Sequence, residues 1–339
     1  MSAISRVAPR IGGVGFDLRM AVLGTIFVSG LFLDGWAHTH GRVDQSFFTP
    51  WHAVLYSGFA LNFLVLAGTV GLNRSRGYAW REAIPSGYAL SLLGLGLWLI
   101  GGPGDLLWHT LFGIEENVDA LYSPTHLLLA SGLVLAVTGP FRAAWVRKNV
   151  SVSLAEQLPL ALSLAACLAT LTFFIQYTHP LVNFWGIRPD SVNDTMQAFG
   201  ASSLLLISGV WMGVLLLAIR RWRLGPGVIT LTLGANAVAM AFLGWSIYPL
   251  PLVVALVVAS ALVDGLYQGL KPGPYRARAL RLFSFLAPVI LVGAYFLVGG
   301  LARAIYWSVH LTSGILLLTG VVGLFLSLLV APPFSAADD

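Results

Sequence analysis

The sequence predicts an all-α, polytopic integral membrane protein with about ten transmembrane helices, and three observations predict it. Hydrophobic residues make up 57% of the 339-residue chain and charged ones only 10%, against about a quarter charged in an ordinary soluble domain. Mean hydropathy is +0.83. Apolar stretches of the ~20 residues that cross a bilayer as a helix recur along the whole chain. The cations between those stretches are sorted by side.

Ten segments can be marked: 18–38, 50–71, 88–108, 125–145, 154–177, 197–219, 226–247, 249–269, 280–299 and 304–328. Backbone groups in lipid must be satisfied within the segment, so each is read as a helix. They are too long and too Leu-rich for barrel strands. The first follows Arg6, Arg10 and Arg19 and carries Asp34 and His38 near its far end. No small-x-small cleavage pattern follows, so it is read as a helix of the mature protein rather than a signal peptide. The second and fourth open on Thr49-Pro50 and Ser123-Pro124, with proline at the first helical position, where it is tolerated. The third ends on Asp105 and His109, the fifth near His179, and the tenth begins near His310. The eighth encloses Asp264, which could serve a proton path or pair with a basic loop. Residues 1–150 hold the first four helices and 151–339 the other six, within one membrane domain.

Sixteen of the nineteen Lys and Arg residues fall at one set of helix ends, leaving Arg42, Arg188 and Arg303 opposite. The positive-inside rule places both termini and the cationic loops in the cytoplasm, for a multi-pass protein of the inner (plasma) membrane. The net charge of +5 is thereby a topology signal, with no nucleic-acid footprint in it. The lipid bilayer is the expected partner; further membrane or periplasmic subunits are left open. The single cysteine, Cys167, excludes an internal disulfide and a multi-thiolate metal centre.

With this topology all seven histidines fall at or near the non-cytoplasmic helix ends, among Asp34, Asp105, Glu115, Glu116, Asp119 and other acids. Within them a motif occurs twice. Asp34-Gly-Trp-Ala-His38 is followed by Thr49-Pro50-Trp51-His52 and Gly58; Asp105-Leu-Leu-Trp-His109 is followed by Ser123-Pro124-Thr125-His126 and Gly132. Asp34 and Asp105 are 71 positions apart. Asp and His four residues apart share a helix face. A second His from the returning helix completes two imidazoles and one carboxylate, a common transition-metal set. The glycines six residues after His52 and His126 would let the helices approach closely. The six candidate ligands are Asp34, His38, His52, Asp105, His109 and His126. His40, Glu115, Glu116, His179 and His310 are additional candidates, with a solvated loop, an acidic loop or a structural role as the plain alternative for each. For the six, the plain alternative is an Asp–His hydrogen bond that pins helix ends.

The stretch His109-Thr-Leu-Phe-Gly-Ile-Glu115-Glu116 through Ser-Pro124-Thr-His126-Leu resembles the His-Thr-Phe-Trp…Glu-Glu…Pro-Leu-His stretch of a copper-binding membrane subunit of the particulate methane and ammonia monooxygenases. Asp34, His38 and the later His52 are similar to the copper motif of the same monooxygenase subunit. The resemblance covers about residues 30–135. It implies a copper site at the periplasmic side and an oxygen-activating oxidoreductase. The chain departs from the family in heading both copies with Asp, where the family has Asn at one site, and helices five to ten match nothing in it. Alternatives read from the residues are a transporter or metal-acquisition protein, a haem-binding electron carrier with His axial ligands, and a zinc-dependent membrane hydrolase. Zinc, iron and haem therefore stand beside copper as candidate cofactors.

Overall fold

The computed structural model describes residues 10–42, 48–113, 115, 118–147, 150–244 and 250–332. Glu116 lies outside the described residues, as do the loop residue Asp44 and the cation Lys148. Among the described residues the regular structure is entirely helical. Two compact units divide the chain, residues 1–150 with 158–170 and residues 151–157 with 171–339, so the division does not fall at one point in the sequence.

The first unit opens with α1 (Val14–Thr39) and α2 (Pro50–Ser75), an antiparallel hairpin. A single turn, α3 (Trp80–Ala83), leads to α4 (Ala89–Phe112). Another turn, α5 (Asp119–Tyr122), precedes α6 (Pro124–Val137) and α7 (Gly139–Val146). Packing between these helices rests on backbone proximity, because lipid offers no hydrophobic drive between apolar faces. A Cβ on Gly58 would sit 2.8 Å from the Phe27 Cα of α1, and one on Gly132 would sit 2.8 Å from the Gly94 carbonyl oxygen of α4. Those are the two glycines that follow the motif histidines.

The segment expected as one span at 125–145 is bent by 41° between α6 and α7. Pro140 has no N–H to offer the Ala136 carbonyl. Ser91 Oγ of α4 lies 3.0 Å from that carbonyl oxygen, and the Arg142 guanidinium donates to the Leu135 carbonyl oxygen at 2.7 Å. The broken turn is thus satisfied by side chains, which is what allows a break at membrane depth. At the same end, buried Asp17 accepts the Tyr88 hydroxyl at 2.8 Å and pairs with Arg147.

Next comes α8 (Leu154–Phe174), whose middle belongs to the first unit and whose ends belong to the second. The second unit continues with α9 (Pro180–Asn183), α10 (Asp194–Arg221), α11 (Val228–Leu243), α12 (Leu250–Leu270), α13 (Ala277–Leu301) and α14 (Val309–Val330). Its 180–193 segment is tied down by side chains from α13 and from the connection that leads into α14. Tyr295 donates to the Trp185 carbonyl at 3.0 Å and Trp307 to the Ser191 carbonyl at 3.0 Å.

Eight of these helices are long and apolar enough to cross a membrane, or nine if α6 and α7 count together. The sequence reading expected ten. The difference lies at α11, which is apolar but only 16 residues long, and which is followed by residues 245–249 outside the described set. Asp264 has a structural use. Its Oδ2 accepts the backbone N–H groups of Gly227, Ile229 and Thr230 at 2.9–3.1 Å, capping α11 from α12. The first-turn amides of a helix need such an acceptor, and here a neighbouring helix supplies it.

Candidate metal centre

Each motif places its first two side chains by helix periodicity. Asp34 and His38 stand one turn apart on α1, and Asp105 and His109 one turn apart on α4. The third is placed by a helix cap. Thr49 caps α2, and its hydroxyl accepts the His52 backbone N–H at 3.1 Å; Ser123 caps α6 and accepts that of His126 at 3.4 Å. In both cases the capped residue is the third of the helix, the usual partner of an N-cap oxygen. Cap and proline together fix where the return helix starts, and so fix the direction of its histidine.

The outcome is two compact triads. In the first, His38 Nε2 lies 3.8 Å and His52 Nε2 3.4 Å from Asp34 Oδ2. In the second, His109 Nε2 lies 3.4 Å from Asp105 Oδ2, and His126 Nε2 lies 3.4 Å from Asp105 Oδ1. Within each triad one donor atom from every residue falls within 4.8 Å of the others, so each could hold a metal ion. Among the described residues these are the groups of three or more His, Cys, Asp or Glu so arranged. The spacings bear on the helix-pinning alternative. An N–H···O bond is about 2.7–3.2 Å long. Two donors each about 2.1 Å from one tetrahedral ion stand about 3.4 Å apart. The separations in both triads, 3.4–3.8 Å, lie at the long end of hydrogen bonding or beyond it, and near the donor spacing of a tetrahedral ion. Among the described residues, buried Asp34 Oδ1 has no hydrogen-bond partner, so it is open to a further partner.

The triads differ in their surroundings. Side chains of the second are the more enclosed at two positions: 9% exposed at His109 and 3% at Asp105, against 34% at His38 and 11% at Asp34. Glu115 Oε2 lies 3.0 Å from His109 Nδ1, which also faces the Gly113 carbonyl oxygen at 3.3 Å, so the outer nitrogen of the ring meets a carboxylate and a carbonyl. Thr125 donates to Asp105 Oδ1 at 2.7 Å. The sequence reading missed Thr125, although it stands inside the Ser-Pro-Thr-His motif.

Neither group includes the remaining candidates. His40 stacks on Trp36 at 4.8 Å, and its Nδ1 lies 2.8 Å from the Trp36 carbonyl oxygen, where it finishes α1. His310 is exposed in the first turn of α14. His179, in the second unit, is fully buried. Its Nδ1 accepts the Leu181 N–H at 3.2 Å and caps α9. Burial pushes its pKa down to about 3, which keeps the ring neutral. Asp119 opens α5, where its carbonyl oxygen accepts the Ser123 N–H at 3.0 Å.

Compared with known proteins, the chain matches no family model, no curated protein and no solved structure. Its function therefore has to be argued from the chemistry of the triads.

Proposed function

We propose that this chain is an integral membrane metalloprotein that holds copper in its two His/His/Asp triads at the periplasmic face of the inner membrane, as an oxygen-activating oxidoreductase related to the copper membrane monooxygenases. The observation that carries the metal reading is that each of two triads gathers two imidazoles and a carboxylate with a ligand atom from every residue within 4.8 Å of the others. Copper is favoured over zinc, iron and haem by the resemblance of residues 30–135, and three protein donors leave coordination positions open for a small ligand. Bound copper would supply one-electron chemistry at those open positions. The chain's own part is to hold two imidazoles and a carboxylate per ion. Apolar helix faces surround them, and Glu115 and Thr125 orient His109 and Asp105. The transport alternative loses its intramembrane acid, because Asp264 is engaged in capping α11.

Metal analysis of the purified protein tests this. The expected result is up to two copper ions per chain, an EPR signal when oxidised and no Soret band. His38→Ala should remove one ion, and the His38→Ala/His126→Ala double variant both. Unchanged metal content in the double variant, together with lowered thermal stability, would return the triads to helix pinning. Zinc without an EPR signal would keep the site and reject the copper chemistry.

A further inference from the structure

Between the two triads stands Tyr56, a residue that neither motif contains. It lies on α2 one turn beyond His52, and its ring is gripped on three sides. The His52 ring is 6.4 Å away and the Trp98 ring 5.7 Å away, both edge-on. Below it is Gly102 of α4, where a Cβ would come within 3.0 Å of Tyr56 Cε1 and 3.1 Å of its hydroxyl. Gly102 is one turn before Asp105, so the phenol of one hairpin packs against the turn that leads to the carboxylate of the other. Trp98 is itself fixed, donating to the Leu129 carbonyl of α6 at 2.8 Å. The clamp thus draws on α2, α4 and α6, and it holds the phenol between His52, whose Nε2 lies 3.4 Å from Asp34 Oδ2, and Gly102, one turn before Asp105.

We propose that Tyr56 is a positioning residue common to both triads, its hydroxyl serving the carboxylate ends of the two sites so that one side chain sets the ligand geometry of two metal ions. A phenol at this depth needs a polar partner, and each of the two hairpins that hold it carries a triad carboxylate. Donors to ligating carboxylates orient them and raise metal affinity. Asp105 already has Thr125 for this purpose, whereas Asp34 Oδ1 has no partner among the described residues. The glycine at 102 is accounted for on the same basis, since any side chain there would displace the phenol.

This inference rests on the triads binding metal, and the test separates the two. His109→Ala/His126→Ala leaves the first triad alone, and His38→Ala/His52→Ala leaves the second alone. Tyr56→Phe is added to each, and Cu(II) affinity is read by chelator competition. The expected result is affinity about 10-fold lower in both backgrounds, a shifted copper hyperfine pattern, and an unchanged melting midpoint for the metal-free protein. Gly102→Ala should reproduce the affinity loss in both. An effect in only one background, or in neither, overturns the shared role while leaving the metal sites standing. A metal-free melting midpoint that falls as far as in Tyr56→Ala overturns it in favour of packing. Failure of both single-triad backgrounds and of the parent protein to bind copper defeats the proposed function and this inference together.

Discussion

Thr125 and Glu115 show how much of a ligand's behaviour is set by the atoms behind it. Thr125→Val removes the hydroxyl 2.7 Å from Asp105 Oδ1 while keeping the side-chain shape. Metal affinity of the second triad should fall by about 10-fold and that of the first should not change, as read by chelator competition in the single-triad backgrounds. Asp34→Asn should weaken the first triad less than His38→Ala, because the amide oxygen remains a donor. His179 carries the pH prediction. Its folded pKa lies below the unfolded value, so the unfolded chain binds the extra proton. The stability it contributes is complete above about pH 6.5 and is lost as pH falls from there toward its folded value. In metal-free protein the melting midpoint should drop on going from pH 7.5 to 5, with a slope of at most about 1.4 kcal/mol per pH unit from this group. His179→Gln should flatten that part of the slope; an unaltered slope would show that other groups carry it.

At the scale of the helix, the sequence signals and the structure can be compared position by position. Asp34/His38 and Asp105/His109 share a face because 3.6 residues make a turn, and that much is legible without coordinates. The starts of α2 and α6 are legible too, because Thr49-Pro50 and Ser123-Pro124 are cap-and-proline pairs. Ser123→Ala should cost about 1 kcal/mol of stability and weaken the second triad by loosening the direction of His126. The bend between α6 and α7 was not legible. Pro140 sits inside an unbroken apolar run, and whether it kinks a span or begins a new helix depends on Ser91 and Arg142 reaching the freed carbonyls. Helix contact gives a sharp comparison. Gly58→Ala places a Cβ 2.8 Å from backbone of α1 and should destabilise by about 1–3 kcal/mol. Gly68→Ala on the same helix meets nothing within 4 Å and should be neutral or slightly stabilising. Equal melting midpoints for the two variants would refute close packing at Gly58.

For the whole molecule, the prediction concerns sidedness. Sixteen of nineteen cations on one set of helix ends call for cytoplasmic signals from reporter fusions at Arg76 and a periplasmic signal at Asp119. A cytoplasmic signal at Asp119 would move the triads to the other side of the membrane and remove the periplasmic part of the proposed function. The count of spans is decided by lengths that hydropathy averages over. A window of apolar residues from 226 to 247 looks like a span, yet the helix within it is the 16-residue α11. Likewise Asp264 reads as an expensive intramembrane charge in the sequence. Only the neighbouring start of α11, 34 to 37 residues away in the chain, reveals the amides that satisfy it.

The sequence by itself determined the membrane class, the helical state, the side on which charge collects and the six residues that gather in the two triads. These follow from composition, from lipid's intolerance of unpaired backbone groups and from the 3.6-residue period, all of which act locally. Tertiary structure alone decided the rest. It set the imidazole nitrogens 3.4–3.8 Å from the triad carboxylate oxygens, brought Glu115 to His109, and lodged Tyr56 of one hairpin against Gly102 of the other. Those relations join residues on different helices, and their distances depend on how closely the backbones pack. That closeness is set by glycines such as Gly58, Gly102 and Gly132, whose partners no local pattern names.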